Sequence, residues 1–285
     1  MTFTFVGNRC FVLEEMFKLG LNIVKIFAIK GSYLEKELKS RNLNFISIAS
    51  KSELIKEINN TPFNIMISNG CPHILPISDL KKDGKEFINI HPSFLPDLRG
   101  ADPQVGALLY GKDAGATCHI MDDKIDNGDI VSQIKIPYSK DLDAALLYQL
   151  SFMAEKEVFI DAFNKNFKPI KKQEKSGSEI YYTKKDDDLK IDFSKTALEI
   201  YQKIKAFSNK SQGAYFIFEN DTYKVFDCEI VSNEYLLSKL NDYQDGEVVI
   251  NYENHLLIKK NDCYLKLRNF DQEVSLIKNG TILKD

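Results

Sequence analysis

The sequence has no CxxC pair, and its five cysteines, at 10, 71, 118, 228 and 263, are odd in number and widely spaced. This argues against a disulfide framework and a zinc site, and for reduced thiols. No apolar run approaches the ~20 residues that a membrane helix requires. The opening MTFTFVGNRC lacks a basic segment ahead of a long apolar stretch, so it reads as a first strand and not as a secretion signal. A cytoplasmic protein without a membrane partner is expected. Net positive charge is missing too: 38 Lys plus Arg stand against 41 Asp plus Glu, a balance of -3. Nucleic-acid binding rests on cations that neutralise phosphates, so no such partner is expected. There is no internal repeat and no low-complexity tract.

What is present is an ordinary globular composition, 44% hydrophobic and 28% charged over 285 residues. That length suggests one large domain and a smaller one. Short β-branched or aromatic runs at 2–6, 22–29, 44–48, 64–68 and 87–91 alternate with amphipathic stretches at 11–19, 33–41 and 52–59. Such alternation signals βαβ units and a parallel α/β sheet. A Pro- and Gly-rich loop follows residue 91, then an apolar run at 116–121, a turn-rich stretch at 122–129, a strand at 130–137 and a long helix at about 142–163. The charged segment KPIKKQEKSGS, 168–178, marks a boundary. It separates a first domain, 1–170, from a second, 171–285. The second reads as a helix at 196–207, then short strands at 214–218, 223–231, 247–250, 255–259 and 263–268, spaced as in a small β-barrel or sandwich.

The stretch FINIHPSFLPDLRG, 87–100, is the most informative. In a strand Asn89 and His91 project from one face while Ile88 and Ile90 take the other. Pro92 ends the strand because it cannot donate to the ladder. An amide and an imidazole thereby sit at the carboxyl end of a parallel strand, where open α/β sheets place ligands. A second cluster, Thr117-x-His119 followed by MDDKIDNGD, gathers Asp122, Asp123, Asp126 and Asp129 in one loop. By themselves these acids suit either a solvated loop or a hard cation. The order of an EF-hand and its final Glu are missing, so no metal is expected.

Taken together, Asn89, His91, Pro92, Ser93, Arg99 and Gly100, then Thr117, His119, Asp126, Gly128 and Asp129, resemble the motif of the folate-dependent formyltransferases. This family includes the glycinamide ribonucleotide, methionyl-tRNA and sugar-nucleotide N-formyltransferases. The resemblance is continuous over about 65–135. It implies an N-terminal Rossmann-like parallel sheet, the formyltransferase fold, with a smaller, mainly β C-terminal domain. It also implies N10-formyltetrahydrofolate as formyl donor and Asn89, His91 and Asp126 as the catalytic set. The Asn89 amide and a protonated His91 would face the oxyanion formed by amine attack, while Asp126 would orient His91 and relay protons. The loop SNGCPHILP, 68–76, resembles the family loop that meets the pteridine, which assigns Pro72, His73, Ile74 and Leu75 to the folate, with Asp122 on the other side.

For the acceptor, Gly7-Asn8-Arg9 resembles a phosphate cradle in ribonucleotide-using relatives, with Arg9 in place of a second Gly. Asn8 could equally be a plain helix N-cap with Arg9 in solvent. Ser93 and Arg99 join this acceptor set. The segment opening YYTKKDDDLKIDFSK resembles the linker of the tRNA- and sugar-formylating enzymes. Its Tyr181, Tyr182 and Lys184 suit either a stacked base with a diphosphate or linker packing. Residues 171–285 hold 18 Lys plus Arg against 20 Asp plus Glu, whereas a tRNA-binding domain should be basic. Lys205 stands where the tRNA enzymes commonly carry Arg, and the chain has no Trp. The expected acceptor is therefore a dTDP-linked 3- or 4-amino deoxysugar destined for a surface polysaccharide such as O-antigen, with methionyl-tRNA as the alternative. A homodimer is expected by base rate.

Overall fold

The computed structural model describes residues 1–82, 84–174, 177 and 179–284. Positions 175, 176 and 178 of the expected linker thus lie outside the described residues. Two compact units emerge. One comprises Met1–Pro103, Asp113–Pro137 and Gln149–Tyr182; the other comprises Gln104–Lys112, Tyr138–Tyr148 and Thr183–Asp285.

The chain begins β1 (Phe3–Gly7), α1 (Phe11–Lys18), β2 (Ile23–Ile29), α2 (Tyr33–Ser40), β3 (Ile46–Ile48) and α3 (Lys51–Asn60). It continues β4 (Ile65–Asn69), α4 (Ile77–Leu80), β5 (Glu86–His91), α5 (Pro103–Tyr110), β6 (Ala114–Ile120), β7 (Ile130–Ile136) and α6 (Ala144–Asn164). The expected strands and helices are present with ends shifted by one or two residues. Helices α2 and α3 start where Ser32 and Ser50 accept the backbone N–H of Glu35 and Glu53, each capping an otherwise orphaned donor. Helix α5 falls within what reads as a Pro- and Gly-rich loop. Pro103 occupies its first position, where the missing N–H costs nothing and φ is already helical.

The sheet of the first unit runs β3-β2-β1-β4-β5-β6-β7. From β3 to β5 every neighbour is parallel. Strands β6 and β7 are added antiparallel, so the sheet is mixed at one end and not parallel throughout. Strand order reverses between β1 and β4, and ligand crevices of open α/β sheets form at such a switch point. Alternation along the strands splits the core. Phe3, Phe5, Ile67, Ile88 and Ile90 pack with Val12, Leu13, Val158 and Phe159 of α1 and α6. Val6, Phe27, Met66 and Phe87 take the opposite face with Leu54 and Ile58 of α3.

The second unit holds α7 (Ala197–Ala206), begun by a capping box between Thr196 and Glu199. Strands β8 (Ala214–Phe218), β9 (Asp221–Val231), β10 (Val248–Tyr252), β11 (His255–Lys260) and β12 (Cys263–Phe270) follow. They form one antiparallel sheet in the order β10-β11-β12-β9-β8. Among the described residues no ladder joins β8 to β10, so the sheet expected as a small barrel or sandwich is a single open one. The buried Lys260 amine is held there by the Phe193 carbonyl and Asp245, both at 2.6 Å. No helix among the described residues is long and apolar enough to cross a membrane.

Candidate active site

Asn89 and His91 lie on the Phe87 face at the carboxyl end of β5, as their spacing requires. Antiparallel pairing then sets Asn89 opposite His119 and His91 opposite Thr117 of β6. The loop after β6 turns back sharply. At Gly128 a Cβ would stand 1.8 Å from the Ile120 carbonyl oxygen, so only glycine fits. Asp126 adopts φ +46°, a left-handed conformation that Asp tolerates better than most residues and that collects at functional sites. Its carboxylate is thereby aimed at the end of β5.

The Asn89 amide donates to Asp126 Oδ1 at 3.2 Å and lies 3.2 Å from His119 Nε2. His119 Nδ1 sits 2.8 Å from the Ile120 carbonyl. A carbonyl only accepts, so Nδ1 carries a proton, while Nε2 lies between the Asn89 amide and Asp126 Oδ1, the latter at 3.6 Å. The other carboxylate oxygen faces His91 Nδ1 at 3.5 Å and accepts from Gly100 N–H at 3.4 Å. Asn89, His91 and Asp126, picked out from two separate stretches of sequence, therefore converge, and His119 joins them. His119 belonged to the motif but had no role; its register opposite Asn89 is a product of strand pairing.

The charge state differs from expectation in one respect. Burial pushes His91 below its ordinary value, and the nearby Asp126 only partly offsets this. His91 is thus neutral at neutral pH, with its Nε2 proton given to the Leu98 carbonyl at 3.0 Å and a bare lone pair on Nδ1. A standing imidazolium is corrected to a neutral imidazole, because a buried cation costs too much. For Asp126, burial alone would raise the carboxyl, but the attraction of its anion for a proton on His91 or His119, with the Gly100 N–H, outweighs this and holds the group below its ordinary range. The resting site is an anion beside a neutral imidazole.

The folate-assigned loop follows β4. Pro72 and Ile74 are exposed, Ile74 at 55%, while Leu75 is buried. His73 carries a buried Nε2 with no hydrogen-bond partner among the described residues. Asp122 orders its own loop, accepting from Lys124 N at 2.9 Å and Asn127 Nδ2 at 2.8 Å. Asp123, which had no assigned role, accepts from Ser78 N at 2.9 Å. This bond ties the 122–129 loop to the first turn of α4, which follows the folate-assigned loop.

The acceptor-assigned residues sit differently. At Gly7 a Cβ would meet the Asn69 carbonyl at 2.3 Å, so β1 and β4 approach closely. Helix α1 is capped at Cys10, not Asn8. Arg9 is neither in solvent nor unpaired: its Nη2 contacts Glu155 at 2.6 Å and its side chain is 16% exposed. Ser93 is fully buried and donates to the Asp97 carbonyl at 2.9 Å. Arg99 is 1% exposed and donates to Tyr181 Oη and Gln173 Oε1, both at 2.6 Å. Tyr182 is buried and donates its N–H to the Arg99 carbonyl. Lys184 is half-buried and belongs to the second unit. That unit also carries an open groove of about 800 Å³ lined by Asn251, Tyr252, Glu273 and Lys278 among others, none of them a residue singled out in the sequence. Among the described residues no group of three or more His, Cys, Asp or Glu could hold a metal ion.

The sequence matches the family profile described as Formyl transferase over residues 32–163, and Formyl transferase, C-terminal domain over 184–275. It is similar to the methionyl-tRNA formyltransferase of Mycoplasma capricolum subsp. capricolum, 25% identical over 247 residues, 84% of this chain and 76% of that protein. Among solved structures it is similar to WlaRD, a sugar 3N-formyl transferase studied with dTDP and 5-N-formyl-THF. That match has a TM-score of 0.74 at 21% identity and covers 96% of this chain and 98% of the other. An N-formyltransferase from Helicobacter canadensis, in complex with folinic acid and dTDP-3-aminofucose, also has a TM-score of 0.74. It is 19% identical, over 94% of this chain and 98% of that one. At these identities the two structures establish a common fold.

Proposed function

Since the chain belongs to the formyl transferase family, we propose that it moves the formyl group of N10-formyltetrahydrofolate onto the amine of a nucleotide-linked amino deoxysugar. The observation that carries the reading is that Asp126 stands within 3.5 Å of polar atoms of both Asn89 and His91 at the carboxyl edge of the sheet. Attack of the amine on the formyl carbon creates a tetrahedral oxyanion and leaves a proton to be removed. Asn89 trades one of its two resting N–H contacts for the oxyanion. The proton passes to the Asp126–His91 pair, where Nδ1 can hold it beside the carboxylate, and returns to the folate nitrogen as that bond breaks. Loops 68–76 and 122–129, the second anchored through Asp123 to the start of α4, form the two sides of the folate site. Ser93, Arg99 and Tyr182, buried with partners inside the protein, shape the site, and Asn8 with Arg9 sits at the switch point facing the acceptor. The chemistry resides in the first unit, which carries 171–182 along with most of 1–170, and the second unit is a small-substrate domain.

The sugar acceptor is supported by the near-neutral charge of 171–285 and by Lys205, whose amine is already paired with Asp227 at 2.7 Å. Both named fold neighbours carry a dTDP species with a formylated folate. The specific acceptor is dTDP-4-amino-4,6-dideoxyglucose or a 3-amino isomer, for surface polysaccharide synthesis by a cytoplasmic homodimer. The second reading, methionyl-tRNA as acceptor, is favoured by the curated relatives. Incubation with 10-formyltetrahydrofolate and a panel of dTDP- and UDP-amino sugars, beside charged initiator tRNA, separates the two. Formylation of a sugar is expected, and product from tRNA alone would overturn the sugar assignment.

A further inference from the structure

We infer that Gln173 is a positioning residue for the Asp126 carboxylate, acting through the backbone of the loop. Its amide nitrogen donates to the Asp126 carbonyl at 3.0 Å and to the Gly128 carbonyl at 2.8 Å. One side chain thus takes up both carbonyls of the tight turn that holds Asp126 at φ +46°. The amide oxygen faces the other way and accepts from Arg99 Nη2 at 2.6 Å. Arg99 is itself immobilised: it is 1% exposed, donates through Nη1 to Tyr181 at 2.6 Å and lies over that ring at 5.6 Å.

The next residue closes the circuit, because Gly100 N–H reaches the Asp126 carboxylate directly. The Arg99-Gly100 pair therefore grips the loop twice, once at the carboxylate and once, through Gln173, at the carbonyls on either side of Asn127. A left-handed non-glycine turn persists only where its surroundings over-determine it, and this circuit supplies the constraint. The chemistry selects glutamine. A Glu of the same shape would keep the Arg99 contact but set a carboxylate against two carbonyl oxygens, while Met would keep the volume and lose every hydrogen bond.

This inference rests on the catalytic reading of Asp126. The test uses the full chain with 10-formyltetrahydrofolate and dTDP-4-amino-4,6-dideoxyglucose, comparing Gln173→Glu, Gln173→Met and Asp126→Asn. Rates are expressed per folded site, counted by stoichiometric 5-formyltetrahydrofolate binding. In both Gln173 variants kcat should fall about 10- to 100-fold with KM for the folate held within about threefold, as for a misaligned group. A role in stability alone would lower Tm and leave kcat per site unmoved. Gln173→Glu keeps the Arg99 contact and so protects the fold; should it fail to fold, Gln173→Met is read the same way. If Asp126→Asn is inactive while the folded Gln173 variant matches the parent, the inference falls and the site reading stands. If Asp126→Asn keeps parental turnover, the site reading falls and takes the inference with it.

Discussion

Replacing Asp126 by Asn removes one charge and almost no volume, and its effect can be worked from the site. In the resting enzyme the new amide can accept from Asn89 through its oxygen and donate an N–H to the bare Nδ1 of His91, so the fold should survive. During reaction the outcome reverses. His91 can no longer take a proton at Nδ1 without facing an N–H, and the imidazolium loses an anion 3.5 Å away. Two unit charges at that distance interact by roughly 4–5 kcal/mol at an effective dielectric of about 20. If between half and all of this is felt in the transition state, kcat should drop between about 50-fold and about 3 × 10³-fold. Single-turnover release of tetrahydrofolate, followed by absorbance at saturating folate and acceptor, measures the chemical step without product release. Retention of kcat within about fivefold of the parent in a folded Asp126→Asn protein would refute the electrostatic coupling.

Two further outcomes follow from buried charge. Because the folded state keeps His91 neutral, the unfolded chain binds the extra proton below about pH 6.5. The stability contribution is complete above that value and declines as pH falls through it. The urea-unfolding gap between the parent and His91→Gln should therefore narrow from pH 7.5 to pH 5. Asp126, whose carboxyl is lowered, acts in the same direction but only below about pH 3.9, so it leaves this window clear. A gap that stays constant with pH would contradict a neutral buried His91. Glu155 is fully buried against Arg9, with one oxygen lacking a hydrogen-bond partner among the described residues, and burial raises its pKa despite the arginine. Glu155→Gln should change stability by no more than about 1 kcal/mol, whereas Glu155→Ala, which leaves Arg9 without its partner, should cost about 3–5 kcal/mol. Equal losses for the two variants, measured by denaturant unfolding, would show that the charge of Glu155, and not an acceptor for Arg9, carries the cost.

Much of the fold was legible because the periods of strand and helix are local. Asn89 and His91 share a face by the two-residue repeat alone, and apolar spacing marks the helices at 33–41 and 52–59. Helix α5 was hidden because its start, Ala-Asp-Pro, reads as a turn while Pro103 is also a favourable first helical residue. The antiparallel end of the sheet was hidden as well. The βαβ rhythm stops at β5, and nothing in an apolar run such as that of β6 fixes its direction. Asp123 and Gln173 were passed over because one lay in a run of acids and the other in a charged linker. What distinguishes each is a partner, Ser78 N in one case and Arg99 with two loop carbonyls in the other.

The amino-acid order by itself determined which chemical groups are available, that the first half builds an α/β sheet, and that Asn89 and His91 end one of its strands. These depend on neighbours a few residues apart, whose geometry the backbone dictates. Tertiary structure alone decided that Asn89 faces His119 across 30 residues of sequence, that His91 rests neutral, and that Arg9 is already paired. Register, burial and charge pairing arise between segments distant in sequence, and only packing sets the distances and the desolvation on which they depend.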